Sequence, residues 1–335
     1  MKRRRDRSPS WGAATPGEDG RMSNVKARIT IIGSYAVGMT MSCARFPGEG
    51  ETVTGGNFKL LHGGKGSNQA IAVARLGGEA IFGASVGADA FGDGAIAMLR
   101  NEAINYTHVS RKQGASTGVG IVLVSDRGSN EIVIDLAANE LLSASDVEAM
   151  EEDISRSDVL LVQLEANLDA VARAVDIANE RGITVILNPA PFRRMPARTI
   201  GLCGYITPNE TEAAALLGLT GTALPEGSVL AGMLHEKYGN SVIVTLGESG
   251  SHVRTREVDR HVPARPARVI DTTGAGDTFS GALAVAIGEG KEILDAVAFA
   301  TVAAGMSVEK EGVVESIPVR REVDARFATV ARSAR

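Results

Sequence analysis

Cysteine, histidine and aromatic residues are scarce in this 335-residue chain, at two, five and 4% respectively. Cys43 and Cys203 lie far apart and form no metal-binding spacing, so the sequence reads as a protein of a reducing, cytoplasmic compartment. His108, His235, His252 and His261 show no spacing for a metal triad. No apolar run reaches the roughly 18 residues that a membrane-spanning helix requires, which excludes such a span. Net positive charge is missing from the body of the chain. Residues 1–28 carry eight Lys/Arg against three acids, leaving −10 on the remainder of a chain whose total is −5. An acidic body excludes a surface for phosphate backbones, and with it nucleic acid as a partner. No hydrophobic segment follows the Arg-rich start, and Pro9, Pro16, Gly12, Gly17 and Gly20 prevent regular structure there. Residues 1–27 are expected to form a disordered basic tail, with Met22 an alternative start.

What the chain has instead is apolar material, at 44%, and glycine, at 39 residues without a triplet period. The first suffices for a large core; the second suits special turns and close backbone approach to ligands. From residue 28 onward, β-rich runs alternate with helical stretches, the pattern of an α/β domain with a largely parallel sheet. Strands are expected at 29–33, 80–86, 159–164, 184–187, 205–207 and 242–246. Helices are expected at 67–76, 91–102, 168–181 and 210–217. Two segments break the rhythm. Residues 36–62 are rich in Gly, Thr and Pro, and residues 117–136 read as a hairpin turning at 126–129. They form either surface loops or a small β lid over a ligand site. Met39, Met41 and Cys43 alternate along the first lid strand and are expected to pack on its inner face.

The most informative segment is Val269-Ile270-Asp271-Thr272-Thr273-Gly274-Ala275-Gly276-Asp277-Thr278-Phe279-Ser280-Gly281. A strand at its start is expected to lead into the Gly274-Ala275-Gly276 turn, followed by a helix over residues 277–287. Small residues let successive amides point at one spot, and the helix dipole adds positive potential, making an anion pocket. Asp277 is then either an ordinary N-cap or a base beside a held phosphate, able to take a proton from an attacking hydroxyl. A second glycine-rich turn, His62-Gly63-Gly64-Lys65-Gly66-Ser67-Asn68-Gln69-Ala70, opens another helix. Its amides and Asn68 suit a polyol, and two such turns in one domain suggest two halves of one cleft. His62 faces either the substrate or the lid edge. The Walker pattern is absent, and Phe279 stands where a dinucleotide fingerprint wants a small residue. Asn209 and Glu212 sit three apart at a helix start, where an amide and a carboxylate suit a hydrated Mg²⁺ bearing phosphates, or simply cap the helix.

Taken together, Gly63-Gly64-Lys65-Gly66-Ser67-Asn68-Gln69, Asn188-Pro189-Ala190-Pro191, Thr207-Pro208-Asn209-Glu210-Thr211-Glu212, Thr245-Leu246-Gly247 and Asp271-Thr272-Thr273-Gly274-Ala275-Gly276-Asp277 resemble the PfkB carbohydrate kinase family, ribokinase-like members above all. The resemblance runs over about residues 29–330. It implies a three-layer α/β ribokinase-like fold, mostly parallel sheet with a small β lid, in one kinase domain over residues 28–330. It further implies transfer of the γ-phosphate of ATP to a primary hydroxymethyl group of a pentose or related small sugar. Asp277 would be the base, with Gly274, Ala275 and Gly276 holding the phosphate. Gly64, Lys65, Asn68 and Glu165 match sugar-binding positions. Asn209, Glu212, Thr245, Gly247, Gly250, Gly276 and Thr301 match those that contact nucleotide or its Mg²⁺. Asp271, Thr273, Ser307, Lys310, Gly312 and Ser316 match a K⁺ site, several through main-chain oxygens. A homodimer paired through lid strands is also implied.

The sequence departs from the family at the sugar. Ala36 and Gly38 stand where an Asn and an Asp would bind sugar hydroxyls, so the pocket suits a different polyol, a deoxy or branched sugar, or a larger acceptor. Two alternatives stay open. A nucleoside kinase of the same fold needs an aromatic-lined pocket, for which Tyr35 and Phe58 are the lid candidates. A non-catalytic sugar-sensing protein would bind without reacting.

Overall fold

A computed structural model describes residues 26–221 and 223–333; residues 1–25 of the expected basic tail lie outside the described residues. In chain order the strands are β1 Arg28–Ile32, β2 Ala36–Cys43, β3 Gly55–Gly63, β4 Glu79–Gly87, β5 Asn105–Lys112, β6 Gly118–Ser125, β7 Asn130–Asp135, β8 Val159–Val162, β9 Thr184–Leu187, β10 Tyr205–Ile206, β11 Ser241–Thr245, β12 Ser251–Arg254 and β13 Asp259–Val262. The helices are α1 Lys65–Arg75, α2 Ala90–Asn101, α3 Ala144–Glu148, α4 Glu151–Ser155, α5 Leu168–Arg181, α6 Ala197–Gly201, α7 Glu210–Leu217, α8 Gly227–Tyr238, α9 Ala275–Gly288, α10 Ile293–Ser307 and α11 Arg320–Ser333.

Nine strands make one sheet in the order β13-β12-β11-β10-β9-β8-β1-β4-β5, parallel from β5 through β11 and antiparallel at β12 and β13. Its inner strands are covered on both faces, which is why they read as almost unbroken apolar runs. Alternation along β8 shows the two-sidedness. Val159 and Leu161 join a core with α1, α9 and α10, whereas Leu160 and Val162 join a second core with α5, α7 and α8. These two cores define the three layers, and burial of each Val, Leu or Ile contributes roughly 1.5–3 kcal/mol before entropic costs.

The two inserted segments meet in a second sheet, β3-β2-β6-β7. β2 pairs in parallel with β6, while β3 and β7 flank them antiparallel. Met39 packs against the main core and Cys43 is buried, whereas Met41 is 37% exposed, so only part of the expected inward stripe is formed. The expected strand at Val269 and Ile270 is absent. The segment after β13 is irregular, and both side chains are more than half exposed. Pro263 and Pro266 remove backbone donors there, and β13 already closes the sheet edge.

The crossover between α1 and α9 sets the position of everything described next. Gly281 on α9 lies so near α1 that a Cβ added to it would stand 2.6 Å from the Ala72 Cβ and 2.9 Å from the Gln69 carbonyl. Gly281→Val is therefore expected to destabilise the protein by about 1–3 kcal/mol through overpacking, read as a lower denaturant midpoint with an unchanged m-value.

Candidate active site

The order of strands reverses between β1 and β8, and ligands of open parallel sheets bind beyond the carboxyl ends of the strands at such a point. The polar side chains of this chain gather there. Ser34 follows β1, Gln163 and Glu165 follow β8, Asn188 follows β9, Thr207 follows β10, and Thr245 ends β11.

Helix α1 starts at Gly64, whose φ of 93° and close approach to Tyr35 and Ala36 leave no room for a Cβ. Its first free amide, on Lys65, donates to Glu165 Oε2 at 2.8 Å, and Ser34 Oγ donates to the same oxygen at 2.6 Å. Glu165 thus ties the helix start to the end of β8. Helix α9 starts at Gly274, with φ 78°, and Asp277 is its third residue. Asp277 is not the N-cap of α9. Its carboxylate accepts from Asn68 Nδ2 at 2.9 Å and from Gln69 Nε2 at 3.1 Å, both on α1, and Lys65 Nζ lies 4.0 Å away. Gln69 Nε2 also donates to Asn188 Oδ1, Gln163 Nε2 donates to Gln69 Oε1 at 2.5 Å, and Asn188 Nδ2 donates to the Thr207 carbonyl. Every side chain in this chain of amides is buried, so each hydrogen bond is costly to lose.

Asp277 is only 4% exposed, yet it opens onto a cleft of about 210 Å³. Lys65, Asn209, Glu212, Thr245, Gly274 and Gly276 line the same cleft, as do Asn188, Thr207 and Ser280. No protein atom lies within 4 Å of where a Cβ of Gly276 would stand, so packing alone does not require glycine there. The charge of Asp277, followed by those of Glu165 and Glu212, holds the Lys65 ammonium above the usual lysine range. Burial pushes the Glu212 carboxyl up.

Asn209 and Glu212 cap α7 reciprocally: Asn209 Oδ1 accepts from the Glu212 amide at 2.8 Å, and Glu212 Oε2 accepts from the Asn209 amide at 2.9 Å. They do so on the wall of the cleft. Gly247 and Gly250 frame the turn between β11 and β12, and neither lines the cleft; Thr301 donates its hydroxyl to the Val297 carbonyl within α10. Asp271 joins two loops, accepting from the Thr273 amide and hydroxyl on Oδ1 and from the Gly312 amide on Oδ2. The Lys310 amide donates to the Ser307 carbonyl; Ser307 and Ser316 are buried with their hydroxyls on nearby carbonyls. Tyr35 is fully buried, with its hydroxyl 2.7 Å from His62 Nδ1, and Phe58 is 58% exposed. Neither aromatic ring lines the cleft.

The profile of the pfkB family carbohydrate kinases matches residues 26–320. The chain belongs to this family. It is 37% identical over 298 residues to the ribokinase of Haemophilus influenzae, covering 89% of this chain and 97% of that one. To the deoxyribokinase of Salmonella typhi it is 36% identical over 291 residues, covering 87% and 95%. The structure of Arabidopsis thaliana ribokinase complexed with ribose and ATP superposes with a TM-score of 0.81 at 29% identity, covering 90% of this chain and 99% of that one. The protein is therefore a ribokinase-like carbohydrate kinase, a phosphotransferase with an alcohol as acceptor.

Gln69, Gln163 and Asn188 were not among the expected site residues. Gln69 carried a signal, since it follows Asn68 within the same glycine-turn motif; Gln163 could be found only by knowing which strand lies beside β1. In this kinase Gln69→Leu leaves one Asp277 oxygen without its buried donor. A hydrogen bond to a charged group is worth about 1.5–3 kcal/mol, so kcat is expected to fall roughly 10- to 100-fold. Steady-state kinetics with ATP varied should show the KM for ATP nearly unchanged.

Proposed function

We propose that this kinase transfers the γ-phosphoryl group of ATP to a primary hydroxymethyl group of a pentose or related small sugar, with Asp277 as general base. The observation that carries this reading is the placement of one carboxylate, held by two amide donors, at the amide-rich start of α9 and on the wall of the cleft. Asp277 would take the hydroxyl proton as the oxygen attacks the γ-phosphorus and ADP leaves. The amides of Gly274, Ala275 and Gly276 would receive the charge that builds on the transferring oxygens. Lys65, beside Asp277, would orient the acceptor and help balance that charge. Asn68 Oδ1 is buried without a donor, and a sugar hydroxyl beside Asp277 would satisfy it. Gly64 and Glu165 would shape that end by fixing the start of α1.

Among the described residues there is no group of three or more His, Cys, Asp or Glu side chains able to hold a metal. The cleft does contain the Glu212 carboxylate and the Asn209 amide, hard oxygen donors that fit a Mg²⁺ entering on the nucleotide phosphates. Mg²⁺ would neutralise phosphate oxygens; Asn209 and Glu212 would place it, and Thr245, Gly247, Gly250, Gly276 and Thr301 would border the nucleotide. For K⁺, the loops carrying Asp271 and Thr273 and those carrying Ser307, Lys310, Gly312 and Ser316 are joined by the Asp271 to Gly312 bond, and their carbonyl-rich turns suit a monovalent cation. The compartment suggested by the two unpaired cysteines is the cytoplasm, and no described helix is long and apolar enough to cross a membrane.

Asp277→Asn keeps the size of the side chain and removes the base. It is expected to lower kcat on the order of 10²- to 10⁴-fold while sugar binding persists. The measurement is ATP turnover against a panel of pentoses, deoxy sugars, polyols and nucleosides. Turnover of nucleosides alone would select the nucleoside kinase, and sugar binding without any turnover in the wild type would select the sensor.

The acceptor end is set by the lid. Ala36, Gly63 and Gly118 stand in register across three strands, and Leu61, Gly38, Gly120 and Ile134 form the next row, so this part of the face presents no hydrogen-bonding side chains. Such a face favours an acceptor with fewer hydroxyls to satisfy, a deoxy or branched sugar, over ribose. A Cβ on Gly38 would meet nothing nearer than the Leu61 carbonyl at 3.7 Å. Gly38→Asp should therefore fold normally and lower the KM for ribose roughly 10- to 100-fold, the scale of one charged hydrogen bond. An unchanged ribose KM would show that the lid does not reach the sugar there.

The lid also supports a homodimer. Leu60, Ile121 and Val133 share one face of the lid, flanking the core-packed Met39, and are 52%, 47% and 70% exposed. An apolar stripe of this kind is a self-association surface. Sedimentation at micromolar concentration should give a dimer, and Ile121→Glu a monomer.

A further inference from the structure

A second cavity, of about 230 Å³, lies among α6, α7, α8 and the segment 192–195 and shares no lining residue with the catalytic cleft. Its floor is apolar: Met195, Ile200 and Leu216 are all at least nine-tenths buried. Two aromatic rings, Phe192 and Tyr238, complete the apolar wall. The charged members are both cations. Lys237 Nζ donates to the Leu216 carbonyl at 2.8 Å and stands 5.1 Å from the Tyr238 ring centroid, leaving further N–H groups for a ligand. Arg194, on the cavity wall, is exposed and makes no hydrogen bond or ion pair among the described residues. No carboxylate lines the cavity.

We propose that this cavity binds a small organic anion, a carboxylate or phosphomonoester carried on a single apolar or aromatic ring. The volume is below the roughly 300–1,000 Å³ of pockets that enclose drug-sized ligands, which limits the occupant to about one ring and its charged group. Arg194 supplies a planar fork of donors matched to a carboxylate or phosphate, and Lys237 a second cation. Met195, Ile200 and Leu216 exclude water from the ring, and Phe192 and Tyr238 offer aromatic faces and edges. An uncharged ring gains nothing from Arg194 and Lys237, and a bare inorganic anion leaves the floor uncovered, so neither substitutes for the whole ligand.

Occupancy of this cavity is coupled to the catalytic cleft through two shared elements. Helix α7, about 12 Å long from its eight residues, places Glu212 on the cleft near its start and Ala215 and Leu216 on the cavity near its end. The segment after β9 likewise puts Asn188 and Ala190 on the cleft, then Phe192 and Met195 on the cavity. A ligand that fixes one end of these elements alters the other, and reciprocity requires the nucleotide to alter ligand affinity in turn. Binding itself does not depend on the reading of the cleft as a kinase site; only the coupling rests on that reading.

The test is titration calorimetry of the full chain with benzoate and with phenyl phosphate, in the presence of a saturating non-hydrolysable ATP analogue and Mg²⁺, so that the γ-phosphate position of the cleft is filled as well. One equivalent of at least one probe is expected to bind, and the stronger of the two distinguishes carboxylate from phosphomonoester chemistry. Benzyl alcohol and inorganic phosphate are expected not to bind. Arg194→Met, at an exposed position, should weaken binding at least ten-fold, and Ala215→Leu, which fills the cavity, should abolish it, both with unchanged turnover in the absence of probe. Saturating probe should change the KM for ATP about five-fold, the lower end of ordinary coupling. Absence of binding by both probes, or binding indifferent to both substitutions, would overturn the site. Binding that leaves the KM for ATP unchanged would overturn the coupling.

Discussion

The site depends on one contact between two helices that begin some 200 residues apart in the chain. Asn68 and Gln69 of α1 each donate an amide hydrogen to the carboxylate of Asp277 on α9. That geometry requires the helices to lie close, and they do because small residues face one another: Ala72 on α1, Gly281 on α9. Burial makes the contact consequential. A carboxylate nearly removed from water is tolerated only when its oxygens are satisfied, and here donors from α1 and a lysine within 4.0 Å perform that role. The same donors prevent the side chain from turning away from the cleft. Stability of the helix pair and orientation of the Asp277 carboxylate are thus one requirement.

Glutamines extend this requirement into the sheet. Gln163, beyond β8, bonds to Gln69, and Gln69 bonds to Asn188, beyond β9, so the position of the Asp277 carboxylate is referred to two strands that cannot move independently. Glu165 does the same for the start of α1, joining it to Ser34 beyond β1. Each strand end contributes a polar side chain to a shared network rather than to an isolated contact. A parallel sheet makes this possible because all its carboxyl ends emerge on one side.

How much of this was legible in the sequence follows from which forces act locally. The spans 168–181, 184–187 and 210–217 coincide with α5, β9 and α7, because amphipathic period, apolar runs and the Asn209 cap are local properties. Helices α1 and α9 begin two residues earlier than expected. Their caps are glycines in positive-φ conformations, Gly64 and Gly274, which announce a turn but do not mark the first helical residue as Ser or Asp would. Val269 and Ile270 have the strand preference of apolar β-branched residues, yet a strand needs a ladder, and here the Ile270 amide meets only the Val308 carbonyl at the end of α10. Asp277, Asn68 and Glu212 could be nominated from glycine turns and helix starts, and Lys65 from the family resemblance. Their assembly with Gln163 and Asn188 could not, since it is decided by strand order.

Chemistry and selection occupy different parts of the fold. Asp277, its donors and the amide-rich turn belong to the nine-stranded scaffold and its two buried cores, where a change of one methylene is felt through close packing. The row of Ala36, Gly63 and Gly118, and Gly38 with Gly120, belongs to a four-stranded sheet whose outer residues are exposed. A side chain added at Gly38 meets ordinary contacts, whereas one added at Gly274 meets Val313 at 2.6 Å in a conformation that L-residues rarely adopt. Substitution is therefore cheap at Gly38, where the acceptor would be chosen, and expensive at Gly274, where the phosphoryl group would be held. A chain built this way can keep its reaction while changing its sugar, which is why the motifs around Asp277 identify the family and the small residues of the lid leave the acceptor to be determined by turnover.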